Sequence, residues 1–224
     1  MTERERISFK VQAFFEDLWK RGDPWEFETS EFERDKYARQ LALLQGRRYA
    51  RVLEIGCGAG SFTRSLARIA DQVVAVDISA TAIARAQASG AGPGVIDYRV
   101  GNIMDFDLNK EGPWDLVVMS ETICYLGWLH SFFEVGWFAT ELFAATCSGG
   151  RFLMANTQSG VDDDEYLLRP WLIRTYRDLF LNVGYQLDVE EIFRSQKHGV
   201  GLEVLISLFY IGHATAPDSG SMSV

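Results

Sequence analysis

The chain has 224 residues, 47% hydrophobic and 24% charged, which suits one folded domain with a sizeable core and excludes a disordered chain. The formal net charge of -9 argues against a nucleic-acid partner held through phosphates and is compatible with a cationic or amine-bearing substrate. Cys57, Cys124 and Cys147 form no C-x-x-C pair and the three histidines are isolated, so a reduced, cytoplasmic protein without a metal site is expected, with no signal region or membrane-length apolar run.

The first 48 residues read as a helical cap on a core from 49 to 213. Phe9, Phe14, Phe15, Leu18 and Trp19 recur at helical spacing, and Gly22-Asp23-Pro24-Trp25 ends that helix. A second helix is predicted from about Ser30 to Gln45, with Phe32, Tyr37, Leu41 and Leu44 inward. Ser30 and Glu33 have the spacing of a capping box, and Gly46 is a natural stop. Strand one follows at Arg51–Ile55, then a glycine turn and a helix over Ser61–Ala67. Strand two is Val73–Asp77, with Ser79 capping a helix to about Ser89. After the loop Gly90–Gly94 come strand three (Ile96–Val100) and strand four (Asp115–Met119). A helix then spans about His130–Thr146. Gly149-Gly150 turns into strand five (Arg151–Asn156), and a helix follows at Pro170–Asn182. Two closing strands, Tyr185–Arg194 and Gly201–Tyr210, join through Lys197-His198-Gly199. The residues 214–224 read as a disordered tail. Alternating strands and helices predict an α/β three-layer sandwich, its seven-stranded sheet mostly parallel with an antiparallel closing pair.

The stretch Glu54-Ile55-Gly56-Cys57-Gly58-Ala59-Gly60 carries the functional signal. Glycines lack the Cβ that would keep a ligand from the backbone, and a helix start offers free N–H groups. Dinucleotide sites want G-x-G-x-x-G, but here Ser61 stands where the last glycine belongs. Glu54 would repel a diphosphate yet suits a ligand with an ammonium group, as S-adenosyl-L-methionine has. Asp77 ends strand two, 17 residues after Gly60, where a carboxylate can grip a ribose diol. The pattern resembles motif I of the class I S-adenosylmethionine-dependent methyltransferases. That resemblance implies their seven-stranded Rossmann-like fold. It also places Gly56, Cys57, Gly58, Gly60 and Ile78 at the cofactor, Cys57 as a small filler. Asn102 is expected at the adenine amino group and Ile103 against the ring. The plain alternative for Asn102 is a turn residue.

Ligands of such sheets sit beyond the carboxyl ends of the strands, which selects Ser120-Glu121-Thr122-Ile123-Cys124-Tyr125 after strand four. Ser120 is expected beside the cofactor. The Asn/Asp-Pro-Pro-aromatic motif of adenine and glutamine N-methyltransferases is missing, which argues against nucleic-acid amino groups. Glu121 is the candidate general base or amine anchor, or else a helix cap or salt-bridge partner. Tyr125 lines the pocket or belongs to the core. His130 is a second candidate base, with a capping role as its alternative, and Asn156 is expected to point toward the acceptor. The acidic run Asp162–Glu165 reads as a solvated loop or a clamp for a cationic acceptor.

Asp23-Pro24-Trp25, Phe32-Glu33, Tyr37, Ala82-Ile83-Ala84-Arg85-Ala86 and the Glu121…Tyr125-Leu126 spacing are similar to the nodulation protein S group. Members N-methylate the free amine of a deacetylated chitooligosaccharide. By that resemblance the N-terminal helices lid the cofactor, with Trp25 near the mouth of the acceptor cleft. Trp25 packed on the sheet is the alternative. The expected activity is methyl transfer from S-adenosyl-L-methionine to a small-molecule amine. A hydroxyl acceptor is the alternative, and a non-catalytic cofactor-binding partner protein or a nucleotide-dependent oxidoreductase are the competing classes. The aromatic stretch from Trp128 to Phe143 fits either core or the face of an oligomer.

Overall fold

The computed structural model describes residues 3–90, 95–159 and 167–212. Two helices, α1 (Glu3–Lys20) and α2 (Glu31–Leu44), precede the sheet. The order then runs β1 (Tyr49–Ile55), α3 (Thr63–Leu66), β2 (Ala70–Asp77), α4 (Ala80–Ala88) and β3 (Val95–Val100). A 3-10 turn (Ile103–Asp105), α5 (Leu108–Glu111), β4 (Trp114–Ser120), α6 (Ile123–Leu129) and α7 (Phe132–Ala145) follow. The chain closes with β5 (Thr146–Ser159), α8 (Pro170–Asn182), β6 (Gln186–Lys197) and β7 (Val200–Tyr210). The strands form one sheet in the order β3-β2-β1-β4-β5-β7-β6. β1 to β5 pair in parallel, and β7 inserts antiparallel between β5 and β6. This is the expected sheet.

Side chains alternate along each strand, so one apolar strand feeds two cores. On one face Leu53, Ile55, Val74, Val76, Val117, Met119, Phe152 and Met154 meet Phe138 and Leu142 of α7 and Phe180 of α8. On the other, Val52, Val73, Ala75, Leu116, Val118 and Leu153 meet Leu44 of α2, Phe62, Leu66 and Ile83. Glu54 lies between Leu53 and Ile55 and so points into the second core.

Several local expectations need correction. The helix after Gly60 is one turn, Thr63–Leu66, instead of Ser61–Ala67. Ser30 precedes α2 but its side chain caps nothing, because Glu33 is drawn into ion pairs with Lys36 and Lys197. The inward face of α2 holds Phe32, Glu33, Lys36, Gln40 and Leu44, while Tyr37 and Leu41 are half-buried. The helix predicted from His130 is two helices. His130 ends α6 in an extended conformation, and Ser131 with Glu134 forms a true capping box that starts α7. In α1, Trp19 and Val11 are buried, whereas Phe9 is 65% exposed. The Gly149-Gly150 pair lies inside β5 rather than before it. A Cβ on Gly150 would stand 2.7 Å from the Cys147 carbonyl, so the strand needs glycine there. The run Asp162–Glu165 and the tail 214–224 lie outside the described residues.

Candidate active site

The carboxyl ends of β1, β2, β3 and β4 open into a cavity of about 330 Å³, roofed by α1 and α2. Val11, Phe15 and Trp19 of α1 and Phe32, Glu33 and Lys36 of α2 line it. Of the residues selected from sequence, Gly56, Gly58, Asp77, Ile78, Asn102, Ile103, Ser120, Glu121, Tyr125, His130 and Trp25 face this cavity. Glu54, Cys57 and Gly60 do not line it.

The glycine turn is built for its own backbone as much as for a ligand. Gly56, Gly58 and Gly60 have φ of 76°, 52° and 77°, a region that side chains rarely tolerate. The space a Cβ would need is already taken. It would meet Thr122 Oγ1 at 2.5 Å from Gly56, Trp19 Cζ2 at 2.9 Å from Gly58 and Tyr98 Oη at 2.5 Å from Gly60. The close approach predicted for a ligand is made at all three positions by this chain's own side chains.

Asp77 ties the turn to the next helix. Its Oδ2 accepts from Gly58 N and its Oδ1 from Ser79 N, each at 2.9 Å. Burial raises its pKa, against the pull of those backbone donors. Each carboxylate oxygen keeps a lone pair for a further donor such as a diol hydroxyl. Glu54 is 3% exposed and lies beneath the turn near Thr63. Burial pushes its pKa up to about 8, with Asp77 adding to the rise and Thr63 opposing it. Its Oε2 has no hydrogen-bond partner among the described residues. Glu54 therefore supports the turn from below and does not face a ligand's ammonium.

Asn102 carries its turn role. Its Oδ1 accepts from Met104 N at 3.1 Å, and its Nδ2 donates to Ser8 Oγ of α1 at 3.1 Å. Glu16 of α1 grips the opposite side of the cavity, accepting from Ser79 Oγ at 2.7 Å, from Thr81 N at 3.1 Å and from Thr81 Oγ1. Those donors hold its pKa near 2, so the latch stays charged over the neutral range. Trp25 packs edge-on against Trp19, tilted against Phe27, and faces Tyr125 across the opening, at centroid distances of 5.7, 5.5 and 6.4 Å. It is both packed and at the mouth. Ile78, Ile103 and Phe15 give apolar walls, and the buried Ser120 Oγ has no hydrogen-bond partner among the described residues.

At the other end sits Glu121, in left-handed backbone at φ 58°. A non-glycine residue held there carries strain that the surroundings must offset. Its Oε1 accepts from Lys36 Nζ at 3.1 Å and Thr157 Oγ1 at 2.9 Å, and its Oε2 from Thr157 N at 2.8 Å. Glu121 is thus a salt-bridge partner that also faces the cavity. His130 lines the wall from the end of α6. Asn156 does not reach the cavity. It is fully buried, accepting from Cys124 N and donating to Thr157 O. His198 is a hairpin residue bonded to Glu26 at 2.7 Å.

Sequence reasoning missed Lys36, Glu33, Thr157 and Lys197. Lys36 is 1% exposed in its side chain and pairs with Glu33 Oε2 at 2.6 Å as well as with Glu121. Its pKa is raised: the carboxylates of Glu121 and Glu33 outweigh a desolvation that alone would lower it. Lys197 Nζ reaches Glu33 Oε1 at 3.1 Å and the Trp25 carbonyl at 2.6 Å. The Glu33-x-x-Lys36 spacing was a usable signal, but it looks the same on a solvated helix face. Among the described residues no group of three His, Cys, Asp or Glu is arranged to hold a metal ion. Among the described residues no helix is long and apolar enough to cross a membrane.

The family model described as nodulation protein S (NodS) matches residues 10–134. Nodulation protein S of Rhizobium tropici is 36% identical over 107 residues, 47% of this chain and 44% of that protein. The chain thus spans about half the length of the curated relatives it matches. A ubiquinone biosynthesis O-methyltransferase of Xanthomonas oryzae pv. oryzae is 36% identical over 75 residues, 33% of this chain and 31% of that protein. The structure of the N-methyltransferase NodS from Bradyrhizobium japonicum WM9 with S-adenosyl-L-homocysteine superposes with a TM-score of 0.72 at 20% identity. It covers 90% of this chain and 98% of that one.

Proposed function

The chain belongs to the nodulation protein S family, and from that premise we propose that it transfers methyl from S-adenosyl-L-methionine to an amine of a small molecule, such as an amino sugar or natural product. The observation that carries this reading is one continuous cavity with a half-buried carboxylate, Asp77, at the end of β2 and a second, Glu121, at the far side. The residues present fit the cofactor. Asp77 has acceptor capacity left for a ribose diol, Ile78, Ile103 and Phe15 form an apolar slot for a base, and Ser120 Oγ is an unused donor.

When bound, S-adenosyl-L-methionine supplies an electrophilic methyl on a sulfonium. The protein's part is to hold a nucleophile in line and to keep water out. The aromatic wall of Phe15, Trp19, Trp25 and Tyr125 excludes water from the opening. Glu121 Oε2, which has one protein donor, accepts a hydrogen bond from the acceptor's N–H and fixes the nitrogen lone pair.

A hydroxyl acceptor is the second reading, because the same oxygen takes an O–H equally well and the Xanthomonas relative is an O-methyltransferase. The test is thermal melting with S-adenosyl-L-homocysteine, followed by labelled-donor assays on amino sugars and phenols. A raised Tm with labelled amine supports the proposal. Label on hydroxyls alone moves the acceptor class, and no rise at saturating ligand refutes the cofactor assignment.

A further inference from the structure

Four charges meet at the far end of the cavity and alternate in sign: Glu121, Lys36, Glu33, Lys197. They come from three parts of the chain: the turn after β4, two positions on α2, and the end of β6. Lys36 is also boxed by the rings of Phe32 and Tyr37, each 5.4 Å from its Nζ. A buried ion pair is poorly explained by stability alone, since apolar replacement of a whole buried pair is often neutral or favourable. This one also faces the cavity.

Its effect on Glu121 is asymmetric. Lys36 and Thr157 Oγ1 occupy Oε1 with two donors, which fills its two lone pairs. Oε2 holds the Thr157 amide alone and keeps one lone pair. With the backbone of Glu121 strained at φ 58°, the carboxylate needs these anchors to keep one orientation. At its other side Lys36 is fixed by Glu33, which Lys197 fixes in turn.

We infer that Lys36 is a positioning residue for the transfer reaction: it binds one oxygen of Glu121 so that the other is presented, in one fixed direction, to the N–H or O–H of the acceptor. The inference rests on the methyltransferase reading. It adds that α2 is part of the reacting site and not merely a cover, because the group that aims Glu121 is carried on it.

The test compares wild type, Lys36→Arg, Lys36→Met, Glu121→Gln and the Lys36→Met/Glu121→Gln double variant. For each, affinity for S-adenosyl-L-homocysteine is titrated to count folded sites, and kcat and acceptor KM are measured per site with labelled donor. Lys36→Met is expected to lower kcat by roughly 10- to 100-fold, the scale of an ångström-sized misplacement, with cofactor affinity within about twofold. Lys36→Arg should restore much of that rate. In the Glu121→Gln background Lys36→Met should cost little more, since Lys36 acts through Glu121. An unchanged kcat per folded site, or a loss as large without the Glu121 carboxylate as with it, overturns the inference and leaves a structural ion pair. Should Lys36→Met fail to fold, Glu33→Gln/Lys36→Met removes a negative charge along with the positive one, and the same two outcomes decide. A wild-type protein that binds the cofactor product but methylates no amine or hydroxyl defeats the functional reading itself, and the inference with it.

Discussion

At the glycine-turn end of the cleft, polar contacts run between strand ends and backbone amides. Asp77 takes Gly58 N and Ser79 N, and Glu16 closes over the start of α4. At the Glu121 end they run between charged side chains brought from distant parts of the chain, Glu33, Lys36 and Lys197. The first end is rigid because backbone donors cannot move far. The second is held by pairs whose every member must be present, since a buried charge without its partner is costly. A backbone-built end suits a ligand that is always the same. An end built from side chains can be retuned by substitution, and it is the end assigned here to the acceptor.

Four variants sharpen or break that comparison. Lys36→Met should lose about 3–5 kcal/mol in urea unfolding, the cost of stranding a buried partner. A loss below about 1 kcal/mol would mean the charges at that end are not mutually dependent. Glu54 tests the turn end by pH. Its folded pKa of about 8 lies above the ordinary 4.5, so the folded state holds the extra proton. Stability should therefore fall as pH rises from 4.5 to 8 and level off beyond. Glu54→Gln should melt progressively higher than wild type toward pH 9, by an amount on the order of a few kcal/mol. Parallel melting curves across that range would place the Glu54 charge elsewhere. Asp77→Ala should weaken S-adenosyl-L-homocysteine binding by about 1–3 kcal/mol in calorimetry, with acceptor KM unchanged. If both change together, the two ends are one coupled unit. Glu16→Gln, the smallest effect, should speed release of S-adenosyl-L-homocysteine in stopped flow by several-fold, on the order of 1 kcal/mol. An unchanged rate would show that α1 is not gripped there.

The same contrast explains what could be read from the chain. The glycine turn and Asp77 lie within one β-α-β unit, and the strands and helices alternate along the chain, so periodicity and turn residues fix the arrangement locally. Even there the details turned on packing. Gly58 leaves room for Trp19, and Asn102 spends its amide on Met104 and Ser8. The acceptor end depends on pairs separated by 85 residues, Lys36 to Glu121, and by 164, Glu33 to Lys197. No local pattern marks such a pair. A lysine one turn from Phe32 and next to Tyr37 reads as a solvated position until the partner strands are placed around it.

Synthesis order gives the edge hairpin a further significance. β7 sits between β5 and β6, so β5 stays an open edge until the last strands emerge. The strand pairing of β3, β2, β1 and β4, with Asp77 and its turn, is complete in sequence by about residue 120, although its core partners on α7 and α8 come later. Glu121 must wait for Thr157, and Glu33, made early, must wait for Lys197. Domains gather structure from the N-terminus during translation. The strand ends that carry the glycine turn and Asp77 are thus made well before the anchors of the Glu121 end, and the hairpin is the last piece of that second end to be laid down.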